Sequence, residues 1–183
     1  MHEILDIVDE NGNPTGKTID RETAHAKGIR HRTSHVWLVR EKEGKIQILL
    51  QKRCAHKDSF PNCYDISSAG HIPAGDDFLT SAIREIKEEL GVDAKQEDLI
   101  LCGHRIIQWD GEFHKRPFHD NQYTNVFILW LDRDEDAFLI DPNEVESVRW
   151  MDFEQCKNSV AHDLFPHCIV LEELNMIENR LKR

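Results

Sequence analysis

The sequence lacks any long hydrophobic run. Its longest apolar stretch, residues 126–131, is far shorter than the roughly 20 residues that a membrane-spanning helix requires. Residues 1–6 also lack the basic segment followed by an apolar segment that is typical of a secretory signal. From these two absences we expect a cytoplasmic protein with no membrane partner.

Cysteine and positive charge are also scarce. The five cysteines are odd in number and no two have the CxxC spacing, so we expect reduced thiols rather than disulfides or a zinc ribbon. The chain has 23 Lys and Arg against 34 Asp and Glu, which gives a formal net charge of -11. Duplex nucleic acid is not an expected partner, because its phosphate backbone favours an excess of positive charge. An anionic small molecule would need a local basic pocket or a divalent cation to bind.

The 183 residues contain no repeat and no linker, so we predict a single domain over residues 1–183. Strand and helix patterns in mixed order indicate an α/β fold built in layers. A monomer and a homodimer are both compatible with this sequence. The predicted strands are residues 3–8, 33–40, 45–52, 99–109, 123–131 and 145–150, and the predicted helices are residues 20–27, 79–90 and 163–183, the last with Pro166 in its first turn.

The predicted helix at residues 79–90 carries three glutamates on one stripe. At 100° per residue, Glu88 and Glu89 lie within about 60° of Glu85, and the aliphatic residues share another stripe. Three acids alone are most simply interpreted as a solvated polar face. However, few basic side chains lie on the same stripe to neutralise these glutamates. In addition, a loop bracketed by Gly70 and Gly75 precedes the helix and allows close approach to a ligand. Clustered carboxylates suit Mg²⁺ or Mn²⁺, which would hold diphosphate oxygens.

The same segment has a recognisable spacing. Residues 70–92 have Gly70, then Asp76, then Arg84-Glu85-Ile86-Lys87-Glu88-Glu89-Leu90-Gly91-Val92. This pattern resembles the signature motif of the Nudix family, with Asp76 in place of a glutamate as its only departure. The resemblance implies an α/β/α sandwich with a mixed β-sheet and a catalytic loop-helix-loop. It also implies a hydrolase that cleaves a diphosphate bond in a nucleoside diphosphate, a triphosphate or a related small molecule with Mg²⁺ or Mn²⁺. In that family Glu85, Glu88 and Glu89 would be metal ligands, and Arg84 would orient them.

Outside the motif, residues 4–150 resemble isopentenyl-diphosphate isomerases, and residues 1–32 match the amino-terminal extension of those enzymes. The resemblance implies a second metal site, because His25, His31 and His71 match its histidines and Asp120 matches one of its acids. The alternative is that these histidines are hydrogen-bonded loop residues without a metal. The isomerases have a cysteine at position 69 and an acid at position 122, where this chain has Ala69 and Gln122. We therefore expect hydrolysis, with an isomerase and a non-catalytic sensor of diphosphate ligands as alternatives.

Three basic residues are candidate contacts for the substrate phosphates. The resemblance places Arg53 and Lys57 at diphosphate-contacting positions, and Arg21 is a weaker member of the same set. Guanidinium and ammonium groups both suit phosphate, and a guanidinium can hold two phosphate oxygens at once. The alternative is that these residues are solvent-facing charges of a hairpin.

Two assignments stay open at this level. The general base is either a glutamate of the motif, Glu89 above all, or a loop acid such as Glu144 or Glu146. Separately, Trp109, Phe113 and His114 are candidates for stacking on a base, although an aromatic residue on a strand more often packs in the core or at an edge.

Overall fold

The computed structural model describes residues 3–57, 59–113 and 115–182, and these residues form nine strands and four α-helices. Two short 3₁₀ turns, Gln96–Asp98 and Glu135–Ala137, join some of them. The strands are β1 (Ile4–Val8), β2 (Pro14–Asp20), β3 (His31–Lys42), β4 (Lys45–Arg53), β5 (Tyr64–Asp65), β6 (Ser68–His71), β7 (Leu99–Phe113), β8 (Arg116–Trp130) and β9 (Val145–Asp152), and the helices are α1 (Arg21–Lys27), α2 (Phe78–Leu90), α3 (Phe153–Ala161) and α4 (Leu171–Leu181).

Seven strands form one mixed sheet. Its main order is β5-β4-β3-β8-β7, with β6 paired to β3 and β9 paired to β4. β3 and β8 run parallel, from His31 opposite Gln122 to Val39 opposite Trp130, and the other pairs are antiparallel. β1 and β2 form a separate hairpin, which meets the loop before α2 through a bridge between Leu5 and Pro73.

Helices cover both faces of this sheet, which confirms the predicted α/β/α sandwich. Alternate residues of a strand point to opposite faces, so neighbours on β3 belong to different cores. Leu38 belongs to the core under α2, with Ile86 and Leu90, whereas Trp37 belongs to the core under α3 and α4, with Leu174 and Ile177.

The helix α2 ends where the sequence predicts and begins one residue earlier, at Phe78. The side chain of Asp77 caps it by accepting a hydrogen bond of 2.9 Å from the backbone nitrogen of Thr80. Gly91 ends it in the left-handed conformation, which glycine adopts without steric cost. The helix therefore holds its glutamates at fixed positions relative to the glycine-bracketed loop.

The carboxyl-terminal prediction was wrong in its boundaries. Residues 163–170 are not helical, and α4 begins only at Leu171. Pro166 is not in a first turn, because its carbonyl oxygen accepts a hydrogen bond from the backbone nitrogen of Tyr64 in β5. The prediction also missed α3, which Asp152 caps through the backbone nitrogen of Gln155.

β7 and β8 are longer than predicted and form an extended hairpin arm. Because β3 begins opposite Gln122, residues 116–121 of β8 extend past the end of β3 together with their partners in β7. This arm reaches beside the loop between β4 and β5. In the described part of the chain, no helix is long and apolar enough to cross a membrane.

Candidate active site

A cavity of about 270 Å³ lies where α2 and β6 meet Glu3 and Arg21, at the two ends of the β1–β2 hairpin, and two loops that contribute Lys57, Asp141 and Glu144. Its described lining is strongly acidic, because six of its side chains are carboxylates and only two are Lys or Arg. We call it the acidic pocket. The carboxylates are Glu3, Glu85, Glu88, Glu89, Asp141 and Glu144.

The three glutamates of α2 face this pocket at different depths. Glu88 is exposed, Glu85 is partly buried and Glu89 is 6% exposed. The backbone of β6 approaches them closely at Gly70, where an added Cβ would lie 2.2 Å from Cδ of Glu85. A side chain at position 70 would therefore displace the Glu85 carboxylate, which agrees with the close approach expected of the glycine-bracketed loop.

Glu89 is the most deeply buried of these acids. Burial raises its pKa to about 8, the neighbouring Ser68 hydroxyl opposes the shift, and the charge of Glu85 adds to it. Its Oε2 atom is buried and has no hydrogen-bond partner in the structure. A buried carboxylate oxygen without a partner is costly, so a cation or a proton at this atom would stabilise the folded protein.

Arg84 links the loop to α2. Its guanidinium group donates hydrogen bonds of 3.0 Å to Oδ2 of Asp76 and 3.1 Å to Oε1 of Glu85. Burial raises the pKa of Glu85 even though the Arg84 hydrogen bond and charge favour its ionised form. The expected orienting contact between Arg84 and a glutamate is thus present, and Asp76 serves as the anchor of Arg84.

The candidate phosphate contacts divide into two groups. Lys57 and Arg21 line the acidic pocket, where Lys57 forms an ion pair with Glu144 and Arg21 with Glu3. Arg53 is not among the lining residues. Its guanidinium group instead donates hydrogen bonds to the carbonyl oxygen of Ser59 at 2.9 and 3.1 Å and to Asp65 at 3.0 Å. These bonds occupy the donors that would otherwise contact phosphate.

The three candidate histidines lie together at one end of the pocket. Their nitrogen atoms lie within 4.8 Å of one another, and Nε2 of His25 is 3.1 Å from Nε2 of His71. Burial lowers the pKa of each, in the case of His25 to about 3, so all three are neutral at pH 7. Oδ1 of Asp120, whose pKa burial raises to about 6, lies 3.6 Å from Nδ1 of His25.

The tautomer of His31 favours ligand binding. Its Nδ1 lies 2.9 Å from the carbonyl oxygen of Ile29, which can only accept, so Nδ1 carries the proton. The lone pair is then on Nε2, which is buried and has no hydrogen-bond partner. A neutral histidine fixed in this way is typical of a metal ligand.

The loop acids that compete for the role of general base have different positions. Glu144 lines the pocket, whereas Glu146 lies outside its described lining and accepts a hydrogen bond of 2.7 Å from Lys52. Two acids of the pocket, Glu3 and Asp141, carry no signal in the sequence. Asp141 belongs to a polar turn, and only the path of the loop brings it to the site.

The aromatic candidates lie on the hairpin arm. Trp109 and Phe113 contact each other, with ring centroids 5.4 Å apart, and both contact Phe60 and Phe118. His114 lies outside the described residues.

Comparison with known proteins identifies the family of this chain. The sequence model described as the NUDIX domain matches residues 29–167. The chain is 40% identical over 175 residues to an uncharacterised Nudix hydrolase of Listeria monocytogenes. This match covers 95% of this chain and 94% of that protein. It is 38% identical over 143 residues to an uncharacterised Nudix hydrolase of Clostridium acetobutylicum, with 78% and 66% covered. It is also 28% identical over 151 residues to an isopentenyl-diphosphate Δ-isomerase of Aliivibrio fischeri, with 82% and 80% covered.

A similar structure is the crystal structure of DR0079 from Deinococcus radiodurans. It has a TM-score of 0.67 at 19% identity, and the match covers 96% of this chain and 98% of that one. The chain spans only 21% to 66% of the length of the first curated relatives that it matches.

Proposed function

The chain belongs to the Nudix family, and on this premise we propose that it is a metal-dependent hydrolase of a small molecule that contains a diphosphate bond. The substrate would be a nucleoside diphosphate, a nucleoside triphosphate or a related diphosphate compound. The observation that carries the proposal is the acidic pocket, in which the glutamates of α2 meet the glycine of β6 and a lysine.

The residues of the pocket fit a divalent cation. Six carboxylates face two Lys or Arg side chains, and Oε2 of Glu89 is buried without a partner. Glu85, Glu88 and Glu89 would hold Mg²⁺ or Mn²⁺, because both ions prefer carboxylate oxygens. A bound ion of this kind neutralises diphosphate charge and lowers the pKa of a water molecule.

The surrounding side chains would bind the substrate and accept a proton. Lys57 and Arg21 would exchange their acidic partners for phosphate oxygens, which also accept charge-assisted hydrogen bonds from ammonium and guanidinium groups. Arg84 would keep the Glu85 carboxylate directed into the pocket. Glu144 would accept the proton of the attacking water, because it lines the pocket and is 41% exposed in its side chain, whereas Glu89 is needed as a ligand.

We further propose that His25, His31 and His71 hold a second divalent ion, with Asp120 beside them. The support is the buried lone pair on Nε2 of His31 and the neutral state of all three imidazoles. Equilibrium dialysis against Mn²⁺ tests this site without any assay of activity. We expect the His31→Ala variant to bind one Mn²⁺ fewer per chain than the wild type, and equal binding would contradict the site. His162→Ala is the matched control, because His162 is exposed and lies outside the histidine cluster.

The proposed activity is tested by a panel of nucleotide and isoprenoid diphosphates with Mg²⁺ or Mn²⁺, in which the products are separated and identified. Hydrolysis of the bond between two phosphates supports the proposal. Tight binding without turnover of any compound would instead indicate a sensor, and movement of the isoprenoid double bond would indicate an isomerase.

A further inference from the structure

Four aromatic side chains form a continuous surface beside the acidic pocket. Phe60 comes from the loop after β4, Trp109 and Phe113 from β7, and Phe118 from β8. Neighbouring ring centroids lie 5.2 to 6.2 Å apart. We call this surface the aromatic shelf.

The aromatic shelf is joined to the pocket through two histidines. The ring of His25 stacks on Phe118, with centroids 4.3 Å apart and planes 17° apart. On its other side, His25 contacts His71, which lines the pocket. The register of β7 and β8 supports this connection between shelf and pocket, because Trp109 lies opposite Asp120, the acid beside His25. A molecule held in the pocket therefore has the shelf within its reach.

The outer rings of the shelf face water. Trp109 is 40% exposed and Phe60 is 37% exposed, and they contact each other. A single exposed aromatic residue is common on protein surfaces, but two adjacent ones beside a polar pocket are typical of a binding surface.

The backbone is constrained to place these two rings. Phe60 has a φ of +48°, a conformation that is unfavourable for a bulky residue, and it precedes Pro61, which restricts it further. The hydrogen bonds from Arg53 to Ser59 hold the loop in place. An added Cβ at Gly111 would lie 2.0 Å from the indole of Trp109, so only glycine lets that ring lie across the arm. Strain of this kind is concentrated at functional sites.

We propose that the aromatic shelf binds a planar heteroaromatic ring of the substrate, such as a nucleobase, by stacking on Trp109 and Phe60 while the diphosphate lies in the acidic pocket. This inference rests on the proposed function of that pocket. A planar ring gains stacking energy from one open face and keeps its polar edge in water. An aliphatic chain would need to be enclosed to gain comparable energy, and the shelf is open.

Binding of two non-hydrolysable compounds tests the shelf separately from catalysis. The probes are α,β-methylene-ADP, which has the ring and the diphosphate unit, and methylenediphosphonate, which lacks the nucleoside. The variant Trp109→Leu keeps apolar volume but removes the ring. We expect its affinity for α,β-methylene-ADP in the presence of Mg²⁺ to fall about tenfold, in line with base stacking on aromatic side chains. Its affinity for methylenediphosphonate should stay within about twofold of the wild type, because that probe makes no stacking contact.

Trp130→Leu is the matched control, because Trp130 is 44% exposed and lies at the opposite end of β8. Two further variants test the shelf by other routes, because Gly111→Ala displaces the indole of Trp109 and Phe60→Leu removes the second exposed ring. Both should weaken binding of α,β-methylene-ADP selectively. Equal weakening of both probes, or no weakening in any shelf variant, would overturn the proposal. Loss of hydrolysis with ring-selective binding intact would count against the catalytic proposal alone.

Discussion

Arg84 donates a hydrogen bond of 3.0 Å to Oδ2 of Asp76, the residue at which the motif departs from the Nudix pattern. The shorter side chain of Asp76 still reaches the guanidinium group, and the same group holds Glu85 at 3.1 Å. The substitution of aspartate for glutamate therefore preserves the link between the loop and α2. In this chain, position 76 supports the acidic pocket from outside, since Asp76 is not among its described lining residues.

The first prediction concerns the pH dependence of stability in the presence of a chelator. Burial raises the pKa of Glu89 to about 8 from 4.5. Between these values the folded protein binds more protons at this carboxyl than the unfolded chain, so its contribution to stability is complete below pH 4.5 and is lost as the pH rises through 8. We expect Glu89→Gln to remove this decline.

Thermal melting of both proteins from pH 5 to pH 8 measures the difference. The comparison isolates Glu89, because the buried histidines and Asp120 titrate alike in the two proteins. A melting difference that does not change with pH would contradict the assignment. Saturating Mg²⁺ or Mn²⁺ should reverse the wild-type decline, since the ion favours the ionised carboxylate.

The second prediction separates Arg53, at the end of β4, from Lys57 in the loop that follows. Lys57→Ala should raise the KM for a diphosphate substrate roughly tenfold to a hundredfold, because a charge-assisted contact in the pocket is lost. Arg53→Ala should instead lower the free energy of unfolding by about 1 to 3 kcal/mol, because its hydrogen bonds hold Ser59 and Asp65.

Steady-state kinetics and urea unfolding of both variants provide the measurement. Arg53→Lys should recover little of the lost stability, since an ammonium group cannot reproduce the planar fork. The opposite pattern, with a stable Arg53→Ala protein that binds diphosphate poorly, would restore Arg53 as a phosphate contact.

The third prediction compares two neighbouring loop acids. Glu144→Gln should reduce kcat about a hundredfold, because the amide cannot accept the proton of water. Glu146→Gln is the matched control, since Glu146 pairs with Lys52 away from the pocket. Similar losses in the two variants would exclude a specific role for Glu144.

The fourth prediction is that the protein does not interconvert isopentenyl and dimethylallyl diphosphate. Isomerisation requires groups that deliver and remove protons at carbon. Ala69 offers a methyl group, and both ends of the Gln122 amide are engaged, by Thr33 at 3.1 Å and by Asp120 at 2.5 Å. We expect no deuterium uptake into isopentenyl diphosphate from heavy water, and uptake at an enzymatic rate would favour the isomerase.

Local sequence patterns were sufficient to predict α2 and two strands of the sheet. The spacing of Glu85, Glu88 and Glu89 and the glycine that follows the helix, Gly91, are properties of one contiguous segment. Runs rich in β-forming residues likewise predicted most of β3 and β4.

Features that depend on distant segments could not be predicted. Arg53 and Lys57 are four positions apart, and only the path of the chain at the end of β4 decides which one faces the pocket. Asp141 comes to the site through a long connection between β8 and β9. Phe60 contacts Trp109, which lies about 50 residues later in the chain, so no local sequence periodicity could predict the contact. The segment before α4 was predicted as helix because Pro166 suits a first turn, but it pairs with Tyr64 instead.

The most direct test of the acidic pocket as a hydrolytic site is the rate of diphosphate hydrolysis by Glu88→Gln relative to the wild type. Glu88 is exposed on α2, so its replacement by glutamine should leave the melting temperature nearly unchanged while it removes one carboxylate of the proposed metal site. Glu97→Gln, at a site 76% exposed in its side chain and outside the pocket lining, is the control. With the best substrate of the panel and saturating Mg²⁺ or Mn²⁺, we predict a fall of about a hundredfold or more, because each 1.4 kcal/mol of lost transition-state stabilisation costs about tenfold in rate. A folded Glu88→Gln protein that hydrolyses this substrate at the wild-type rate would contradict the account.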